Sequence, residues 1–463
     1  MAKKSASAPH DNFTSTNNRF TKEVVAALDA AGSESAVLVE APPGAGKSTL
    51  TCSVAYQLVH AEKGLRLPIV TQTNEQADDI LQSLHEKYPS LEIGRLLGQS
   101  GPSPHVARLS SNSPTASTGN RCDEGDLRRA RVIVGTARKW QYERARLQAT
   151  GTQFPIGLID EAYQMRSDIL LGISSLFKTL LCVGDPGQLD PFTQVDDSLW
   201  RGLAYSPAHS AMAVLRATHG SLEPIQLPTS WRLPPSATAI VSQAFYPYAQ
   251  FGPGTVESQR SLTFGSAVRG TRGLNATDAL DAAASRGWAY LELPEKYTVR
   301  TDDEIAANLA EIVAQSLRRG GTVVDERHPD GRALTSDRIA IITAHNDQVQ
   351  AVRYQLHALG VNPDLVVVST ANKIQGREYD LVAVWHPLAG RRDATAFHLE
   401  AGRMCVMLSR HRQACIVVGR GGADRLLSEF PDSDPIYLDE PEKFPDGWQA
   451  NYEVLQHLAK HRV

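Results

Sequence analysis

The sequence predicts an α/β protein with two parallel β-sheets, and three observations support this fold class. Short apolar runs rich in Val, Ile and Leu recur along the chain and end in turn-forming residues. Such near-continuous runs are typical of strands that are buried on both faces of a parallel sheet. Helix-like segments separate many of the runs. A glycine-rich turn also joins a strand to a helix within residues 36–58.

The apolar runs form two series, one in each half of the chain. The predicted strands of the first series are residues 36–40, 67–71, 132–135, 156–160 and 180–184. Those of the second series are residues 288–293, 338–343, 365–370, 380–385 and 414–419. Predicted helices occupy residues 50–58, 74–88, 303–317 and 347–359. No internal repeat is evident, so we expect the halves to share architecture rather than sequence.

The domain boundary is predicted near residues 222–229, where two prolines interrupt the pattern. We therefore expect a first domain at residues 18–225, a second at 226–430 and a C-terminal extension at 431–463. Residues 1–17 are polar and are expected to be disordered. Residues 98–125, rich in Ser, Pro, Gly and Asn, and residues 252–284, rich in Gly, Ser, Thr and Arg, are expected to be long loops, either functional or disordered.

The composition is that of an ordinary globular protein. Its 463 residues, of which 42% are hydrophobic and 21% charged, suffice for two or three domains. The net charge of −4 excludes a uniformly basic surface but allows a local basic groove. The sequence shows no secretory leader and no apolar run of about 18 residues, so we expect a cytoplasmic protein without membrane association.

The cysteines are scattered and show no Cys-x-x-Cys spacing. This pattern argues against a disulfide framework and against a zinc or iron–sulfur module. We expect small buried thiols in a reducing compartment. The five positions are Cys52, Cys122, Cys182, Cys405 and Cys415.

Residues 41–49, Ala-Pro-Pro-Gly-Ala-Gly-Lys-Ser-Thr, are the most informative segment of the chain. Two glycines allow a turn whose backbone N–H groups point at phosphate oxygens, next to the positive end of a helix. Lys47 would reach the β- and γ-phosphates, and Ser48 would offer its hydroxyl to Mg²⁺. Ala41 replaces the usual first glycine, which the extended conformation before a proline tolerates. The alternative is a glycine-rich turn that binds nothing. The predicted nucleoside triphosphate-binding residues are Pro43, Gly44, Ala45, Gly46, Lys47, Ser48 and Thr49.

Two later predicted strands are followed by polar residues at their carboxyl ends. Open α/β sheets bind ligands at the carboxyl ends of their strands. Asp160 and Glu161 follow the run 156–159. Asp160 would hold Mg²⁺, and Glu161 would orient or deprotonate the attacking water. After the run 180–184, Asp185 would fix a turn and Gln188 would contact the γ-phosphate. The alternatives are a solvated surface turn for the acids and a plain β-turn for the second segment.

Seven segments in this order resemble motifs of superfamily 1 helicases, in the branch of the nonsense-mediated-decay RNA helicase and its DNA-acting relatives. The resemblance spans about residues 36–420, and its order is more specific than any single motif. The segments are 41–49 (motif I), 71–78 (motif Ia), 160–164 (Asp-Glu-Ala-x-Gln, motif II), 184–189 (motif III), 229–234 (similar to Tyr-Arg-Met-His-Pro), 370–380 (motif V) and 406–410 (motif VI).

This resemblance implies two tandem RecA-like domains of the P-loop NTPase fold, with ATP and Mg²⁺ between them. Arg232 and Arg410 would then be arginine fingers that stabilise the transferring phosphoryl group. Glu378 would contact the ribose, and Gln375 with Gly376 would couple this site to the nucleic acid. Each arginine could instead be a surface ion-pair residue, and Glu378 a solvated acid. The residues implied to bind nucleic acid, or alternatively to satisfy strand-end turns, are Thr73, Asn74, Thr136, Thr343 and Thr370.

The chain departs from the family pattern in several places. Residues 341–348 replace the usual Thr-Pro-Tyr segment, which puts aromatic stacking there in doubt. Residues 18–22 are only a weak substitute for the glutamine motif that recognises adenine, so base selectivity is open. With fewer than about 40 residues before motif I, the accessory β-barrel of many relatives does not fit, and we expect a minimal motor core.

The sequence therefore predicts an ATP-dependent helicase or translocase on single-stranded nucleic acid, and the family branch implies 5′→3′ movement. DNA is expected somewhat more than RNA. RNA stays open because contacts to a 2′-hydroxyl distinguish the two, and no motif encodes such contacts. The alternative from another class is an ATP-gated clamp or scaffold that binds nucleic acid without processive movement. A small-molecule P-loop kinase would explain only the first half of the chain.

Overall fold

The computed structural model describes residues 9–32, 35–98, 101–189, 191, 209–266, 274–374, 376–429 and 447–463. It confirms the predicted class, because helices cover both faces of two parallel sheets. The helices are α1 (Pro9–Ala31), α2 (Lys47–Ala61), α3 (Asn74–Lys87), α4 (Pro104–Asn112), α5 (Ala137–Ala149), α6 (Ser167–Ser174), α7 (Ala211–Thr218), α8 (Pro235–Phe245), α9 (Leu274–Arg286), α10 (Asp303–Arg319), α11 (Asn346–Ala358), α12 (Ala396–Leu399), α13 (Ala401–Leu408), α14 (Ala423–Glu429) and α15 (Gly447–Ala459).

The strands match the ten predicted runs and add several shorter elements. They are β1 (Ser35–Glu40), β2 (Leu67–Thr71), β3 (Ile93–Leu96), β4 (Ala116–Gly119), β5 (Val132–Thr136), β6 (Phe154–Ile159), β7 (Phe177–Gly184), β8 (Ile225–Gln226), β9 (Thr229–Ser230), β10 (Gly252–Pro253), β11 (Ser261–Phe264), β12 (Trp288–Leu293), β13 (Gly321–Asp325), β14 (His328–Ala333), β15 (Ile339–Thr343), β16 (Val367–Thr370), β17 (Tyr379–Trp385) and β18 (His411–Arg420).

The first sheet has the strand order β4-β3-β5-β2-β6-β7-β1-β8, with every pair parallel. Helices α1, α2 and α3 bury their apolar side chains on one face, and α5, α6 and α7 on the other. Because all strands run the same way, the turns after β1, β2, β5, β6 and β7 meet at one carboxyl edge. This edge carries most of the residues predicted to be functional in the first half.

The second sheet has the order β12-β18-β17-β15-β16, again with parallel pairs. Helices α8, α13 and α15 cover one face, and α9, α10 and α11 cover the other. A small antiparallel sheet, β11-β13-β14, lies beside it. Strand β8 joins the first sheet and α8 packs on the second, so the chain passes between the sheets near the predicted boundary. The exact domain limits stay a prediction.

Two expectations about irregular regions are wrong. Residues 9–17 belong to α1 rather than to a disordered segment, because Phe20, Val24 and Leu28 recur at helical spacing and bury their side chains against the first sheet. The expected loop at residues 98–125 contains α4 and β4, and the one at 252–284 contains β10, β11 and most of α9. Residues 1–8, 99–100 and 267–273 lie outside the described part of the chain.

The cysteines are unpaired and buried, as expected of small core residues. Among the described residues, no helix is both long enough and apolar enough to cross a membrane.

Candidate nucleotide site and nucleic-acid interface

A cavity of about 320 Å³ separates the two sheets at the glycine-rich turn. On one side lies the carboxyl edge of the first sheet, with Lys47 and Glu161. On the other lies the amino edge of the second sheet, where Glu378 precedes β17 and Arg410 precedes β18. The cavity therefore brings together predicted residues that are far apart in sequence. Those that line it are Gly44, Gly46, Lys47, Ser48, Thr49, Glu161, Gln188, Arg232, Glu378 and Arg410.

The glycine-rich turn has the backbone that its sequence predicts. Gly44 and Gly46 have φ values of 74° and 93°, a region that favours glycine. A side chain at Gly44 would also meet Arg232, whose Cβ would lie 2.2 Å from an added Cβ. Ala41 continues β1 by donating its backbone N–H to the Gly184 carbonyl at 2.9 Å, so alanine is accommodated here.

The acidic side of the cleft is a tight cluster around one lysine. Lys47 Nζ lies 3.6 Å from the Glu161 carboxylate and 3.4 Å from that of Asp185. Asp160 accepts a hydrogen bond from the Thr51 hydroxyl at 3.4 Å. Burial, together with the neighbouring Glu161 carboxylate, raises the pKa of Asp160 well above its usual range. Hydroxyl and carboxylate oxygens are the ligands that Mg²⁺ prefers, so Ser48 and Asp160 suit a cation there.

Glu161 combines an unusual backbone with an unpaired carboxylate oxygen. Its φ of 51° makes it the non-glycine residue with positive φ in the described chain. Such left-handed conformations cost free energy and concentrate at functional sites. Among the described residues, no group pairs with its buried Oε2. The strained turn after β6 thus holds a carboxylate at the cleft with one oxygen available to a substrate.

The turn after β7 connects the two halves. Asp185 fixes this turn as predicted, because its Oδ1 accepts the Gly187 N–H at 3.0 Å and its Oδ2 accepts the Gln188 amide at 2.8 Å. The same carboxylate accepts the Tyr246 hydroxyl, from the end of α8, at 2.6 Å. An added Cβ at Gly187 would lie 2.1 Å from the Tyr246 ring, so only glycine fits. The nucleotide side and the second half therefore meet in one hydrogen-bonded contact.

Arg410 is a buried cation that forms no ion pair with the part of the chain that the structure describes. Its side chain is 0% exposed, and its guanidinium donates to the Val406 carbonyl at 3.1 Å and the Ser409 hydroxyl at 3.3 Å. Within the described chain no carboxylate pairs with it, and its Nη1 has no partner. Burial, and then the charge of Arg232, lower the pKa of Arg410 to about 10. An unpaired buried charge is costly, so this position favours a bound anion.

Arg232 reaches the cleft but is engaged in an ion pair. Its Nε donates to Glu378 Oε2 at 3.2 Å, and Arg412 donates to Glu378 Oε1 at 3.1 Å. Burial alone would raise the pKa of Glu378, but the two arginines outweigh it and lower the pKa to about 2. The carboxylate predicted to contact a ribose is therefore ionised and held at the cleft wall. The neighbouring Gln375 lies outside the described residues.

Sequence reasoning missed several residues that line the cavity. Phe13 comes from the first part of α1, where residues 1–17 were expected to be disordered, and Thr255 from a segment expected to be a loop. Glu326 and Arg327 form the tip of the β13–β14 hairpin, whose second strand is polar and gives no alternating pattern. The signal that could have found Arg412 was its place two residues after Arg410.

The predicted nucleic-acid residues of the first half lie together at the carboxyl edge. Asn74 and Thr136 line one cavity of about 580 Å³. Its wall is basic and includes Lys139, whose Nζ lies 4.8 Å from the ring centroid of Tyr142. Tyr142 is 77% exposed. Thr73 caps α3 and Thr136 caps α5, so these side chains also satisfy helix ends, as the alternative interpretation required.

In the second half, Thr343 and Thr370 end adjacent strands and are register partners in the parallel ladder β15–β16. Thr71 and Thr136 are likewise register partners in β2–β5. Each sheet thus has a pair of strand-end threonines about 5 Å apart at its carboxyl edge. Thr71, Thr343 and Thr370 are buried, and the hydroxyls of Thr71 and Thr343 donate to backbone carbonyls. The structure places these residues together, whereas their contact with nucleic acid stays a prediction.

Comparisons with known proteins identify similar sequences. A family profile described as an AAA domain matches residues 209–422. The regulator of nonsense transcripts 1 homolog of Drosophila melanogaster is 23% identical over 82% of this chain and 33% of its own length. ATP-dependent helicase NAM7 of Saccharomyces cerevisiae is 22% identical over 82% of the chain and 40% of its own length.

A further relative is the DNA replication ATP-dependent helicase/nuclease JHS1 of Arabidopsis thaliana, which is 24% identical over 85% of this chain and 27% of its own length. The chain thus spans less than half the length of these curated relatives. Among solved structures, the PRRSV helicase matches with a TM-score of 0.40 and 16% identity over 88% of this chain and 56% of its own. An arterivirus nonstructural protein 10 helicase in complex with DNA matches with a TM-score of 0.41 and 14% identity over 88% of this chain and 65% of its own.

Proposed function

We infer that this chain, a member of the superfamily 1 helicases, is an ATP-dependent translocase on single-stranded nucleic acid. The observation that carries the inference is Arg410, a buried guanidinium without a carboxylate partner among the described residues, in the cleft that contains the phosphate-binding loop. A γ-phosphate supplies the anion that this position lacks. The two halves would then be RecA-like domains, with the limits given by the sequence.

The residues of the cleft divide the work of hydrolysis. When bound, Mg²⁺·ATP supplies the transferable phosphoryl group and a cation that offsets its charge. Lys47 would exchange its two carboxylate neighbours for phosphate oxygens, and Ser48 and Asp160 would hold the cation. Glu161 has an unpaired oxygen with which to orient water and take its proton. Arg410, joined by Arg232 when it leaves Glu378, stabilises charge on the phosphoryl group.

The contact between the turn after β7 and the second half supports coupling of hydrolysis to movement. Asp185 touches both Lys47 and Tyr246, and Gln188 packs on α13, where an added Cβ at Gly402 would lie 2.9 Å from its backbone. Loss of the γ-phosphate changes the forces on Lys47, and this turn passes the change to α8 and α13. Relative movement of two packed domains is a common form of such coupling.

The segments that follow β2 and β15, with exposed Thr73, Asn74 and Asn346, support two grips on one strand. Hydroxyl and backbone contacts to phosphates hold nucleic acid without reading its sequence, and the basic cavity near Asn74 adds electrostatic attraction. Opening and closing of the cleft would alternately strengthen and weaken the two contact surfaces, and this alternation would move the strand. By resemblance to its family branch, we propose 5′→3′ movement and DNA as the first substrate to test.

The deciding experiment measures ATP hydrolysis by the full chain with and without matched single-stranded DNA and RNA oligonucleotides. We expect several-fold stimulation by at least one of them. Glu161→Gln should abolish turnover while ATP binding is retained. A hydrolysis rate indifferent to both oligonucleotides would sink the proposal. Stimulation without displacement of a blocked strand end would instead support the ATP-gated clamp.

A further inference from the structure

A second cavity, of about 360 Å³, lies at the carboxyl edge of the second sheet. Its walls are the turns that follow β12, β17 and β18, which are neighbours in the strand order β12-β18-β17-β15. The candidate nucleotide cleft uses the opposite, amino edge of this sheet, and no motif of the sequence falls on these turns. The basic side chains that line the cavity are Lys296, Arg391, Arg392 and Arg425.

The two carboxylates that line this cavity are already paired. Arg425 forms ion pairs with Glu295 and, at 3.6 Å, with Glu429. It also donates to the Tyr297 hydroxyl at 3.0 Å. Four basic side chains thus face two acidic ones, and the wall carries a net positive charge.

Three of the cations remain available to a ligand. Arg391 donates from Nη2 to Asp393 at 2.7 Å, but its buried Nε has no partner among the described residues. Lys296 and Arg392 are exposed, and neither forms an ion pair with the part of the chain that the structure describes. The Arg392 guanidinium lies 4.8 Å from the ring centroid of Tyr297. Arginines with unused donors beside an open cavity are suited to phosphate oxygens.

The loops that carry these cations are joined through their backbones. Thr298 donates its N–H to the Gly390 carbonyl at 2.8 Å. Gly390 has a φ of 73°, and an added Cβ would lie 2.3 Å from the Thr298 hydroxyl oxygen, so this close approach requires glycine. The turns after β12 and β17 therefore form one surface. We call it the cationic platform and define it by Lys296, Arg391 and Arg392.

The cationic platform lies beside the second proposed grip on nucleic acid. Strand β17 pairs with β15, which leads into the segment 343–348. Burial, and then the charge of Arg391, lower the pKa of His345 in that segment. Arg300, which follows β12, lies 3.9 Å from the Asp347 carboxylate. Adjacent strands are about 4.8 Å apart, so the platform extends about 14 Å from β15 to β12.

The kind of anion follows from a comparison with the first sheet. The strand order β12-β18-β17-β15-β16 repeats the order β1-β7-β6-β2-β5, so the turn after β12 corresponds to the phosphate-binding loop after β1. The N-terminus of the next helix, α10, is however occupied by a side chain. Asp302 accepts the backbone N–H groups of Glu304 and Ile305 at 3.1 and 3.2 Å. Arg420 donates to the same carboxylate at 2.6 Å. This arrangement disfavours a nucleotide bound as at the first sheet, whereas exposed cations spread along an edge suit the successive phosphates of a strand.

We propose that the cationic platform binds backbone phosphates of single-stranded nucleic acid beyond the second grip. This inference rests on the proposed function and lengthens the surface on which the strand lies. With one phosphate per about 3.4 Å of a stacked strand, about 14 Å accommodates about four nucleotides. Because the contacts are to phosphates, they add affinity without reading the sequence.

The test is fluorescence anisotropy of the full chain with labelled oligothymidylates and oligouridylates of about 4 to 20 nucleotides, at several salt concentrations. The platform variant carries Lys296→Gln, Arg391→Gln and Arg392→Gln. We expect its affinity to stop rising with length about four nucleotides earlier than that of the unaltered chain. For the longest oligonucleotide, affinity should fall about tenfold. The slope of log affinity against log salt should become less negative by about 2, since each phosphate contact contributes about 0.7. The shortest oligonucleotides that bind should be held equally by both chains.

The matched control removes three charges elsewhere. Lys63, Arg128 and Arg129 are exposed and precede β2 and β5, at the amino edge of the first sheet. Lys63→Gln, Arg128→Gln and Arg129→Gln together change the net charge equally and should leave the length dependence and the salt slope unchanged. Thermal melts show whether each variant is folded. If the platform variant unfolds, Lys296→Gln with Arg392→Gln replaces it, because neither side chain forms an ion pair with a described residue. The slope should then change by about 1.4.

Three outcomes overturn the platform. Unchanged length dependence and salt slope in the platform variant would remove these residues from the path of the strand. An equal change in the control variant would assign the effect to overall charge. An equal loss for the shortest oligonucleotides would place the effect at the grips instead. Failure of the unaltered chain to bind either polymer at any length would overturn the proposed function itself, a result distinct from loss of the platform alone.

Discussion

The carboxyl edges of the two sheets carry the same six-residue arrangement. After β2 the chain reads Thr-Gln-Thr-Asn-Glu-Gln (71–76), and after β15 it reads Thr-Ala-His-Asn-Asp-Gln (343–348). In each, the first threonine donates its hydroxyl to the carbonyl two residues on, at 3.0 and 3.1 Å. In each, the final glutamine accepts two backbone N–H groups at 3.0–3.1 Å. The expectation of no internal repeat is therefore wrong for this short segment.

The two segments differ at their third residue. Thr73 is exposed, whereas His345 stacks on Phe397 at 4.8 Å between ring centroids and lies 3.1 Å from His398 between their Nε2 atoms. The two sheets differ more at the candidate nucleotide cleft, which lies between the carboxyl edge of the first sheet and the amino edge of the second. The comparison teaches that the halves are alike at the predicted nucleic-acid surface and unlike at the nucleotide, where carboxylates face arginines.

The largest predicted effect concerns the candidate nucleotide cleft, where the two sheets differ. Arg410→Ala should lower ATP turnover by about a thousandfold with little change in folding, because the variant loses the proposed arginine finger and also a buried charge that pairs with no carboxylate among the described residues. Arg412→Ala is the matched control, since Arg412 already pairs with Glu326 and Glu378. Turnover is measured at saturating ATP and oligonucleotide. Equal losses in the two variants would contradict a special role for Arg410.

A smaller effect tests whether the similar segments at the carboxyl edges of the two sheets have the same role. Gln76→Ala and Gln348→Ala each remove the acceptor of two backbone N–H groups, which should cost about 1–2 kcal/mol in stability. Because each glutamine shapes a predicted grip, each variant should also weaken binding of a single-stranded oligonucleotide, by about tenfold. Chemical denaturation and fluorescence anisotropy measure these quantities. A loss of affinity in only one variant would show that the two edges are not equivalent grips.

The next prediction concerns the third residue of each segment, Thr73 in the first and His345 in the second. His345→Thr makes the second segment resemble the first, and it removes the ring stacked on Phe397. If the ring contributes a base contact, oligonucleotide affinity should fall by about three- to tenfold. Thr73→Ser serves as the control at the matching position, because it keeps the capping hydroxyl. Unchanged affinity in His345→Thr would assign the His345–Phe397 contact to packing alone.

A separate prediction concerns acid stability of the second half. Burial lowers the pKa of His386 from 6.5 to about 4, while its Nδ1 accepts the Leu388 N–H at 3.2 Å. Below pH 6.5 the unfolded chain binds the proton first, so stability falls as the pH falls toward 4. His386→Asn should reduce the loss between pH 7 and pH 5 by about 2 kcal/mol in urea titrations. His219→Asn, at an exposed site, should leave that loss unchanged.

Prediction from sequence was most successful where one local pattern sufficed. The glycine-rich turn, the acid pair and the buried strands are each encoded within a few consecutive residues. The sequence did not predict the first turns of α1, because they are polar and the buried residues at helical spacing begin at Phe20. The isolation of Arg410, and the pairing of Glu378 with Arg232 and Arg412, depend on residues more than thirty positions apart. Such pairings leave no periodic trace in a sequence.

The hydrogen bond between Asp185 and Tyr246 has a consequence for the proposed catalytic cycle. Its carboxylate and ring are 0% and 2% exposed, and they belong to opposite halves of the chain. Any widening of the cleft at this point parts the pair and forces both groups to take up water. In the proposed cycle, release of the product nucleotide would then require this buried hydrogen bond to break. The proposed cycle should therefore include an opening step in which Asp185 and Tyr246 separate and become hydrated.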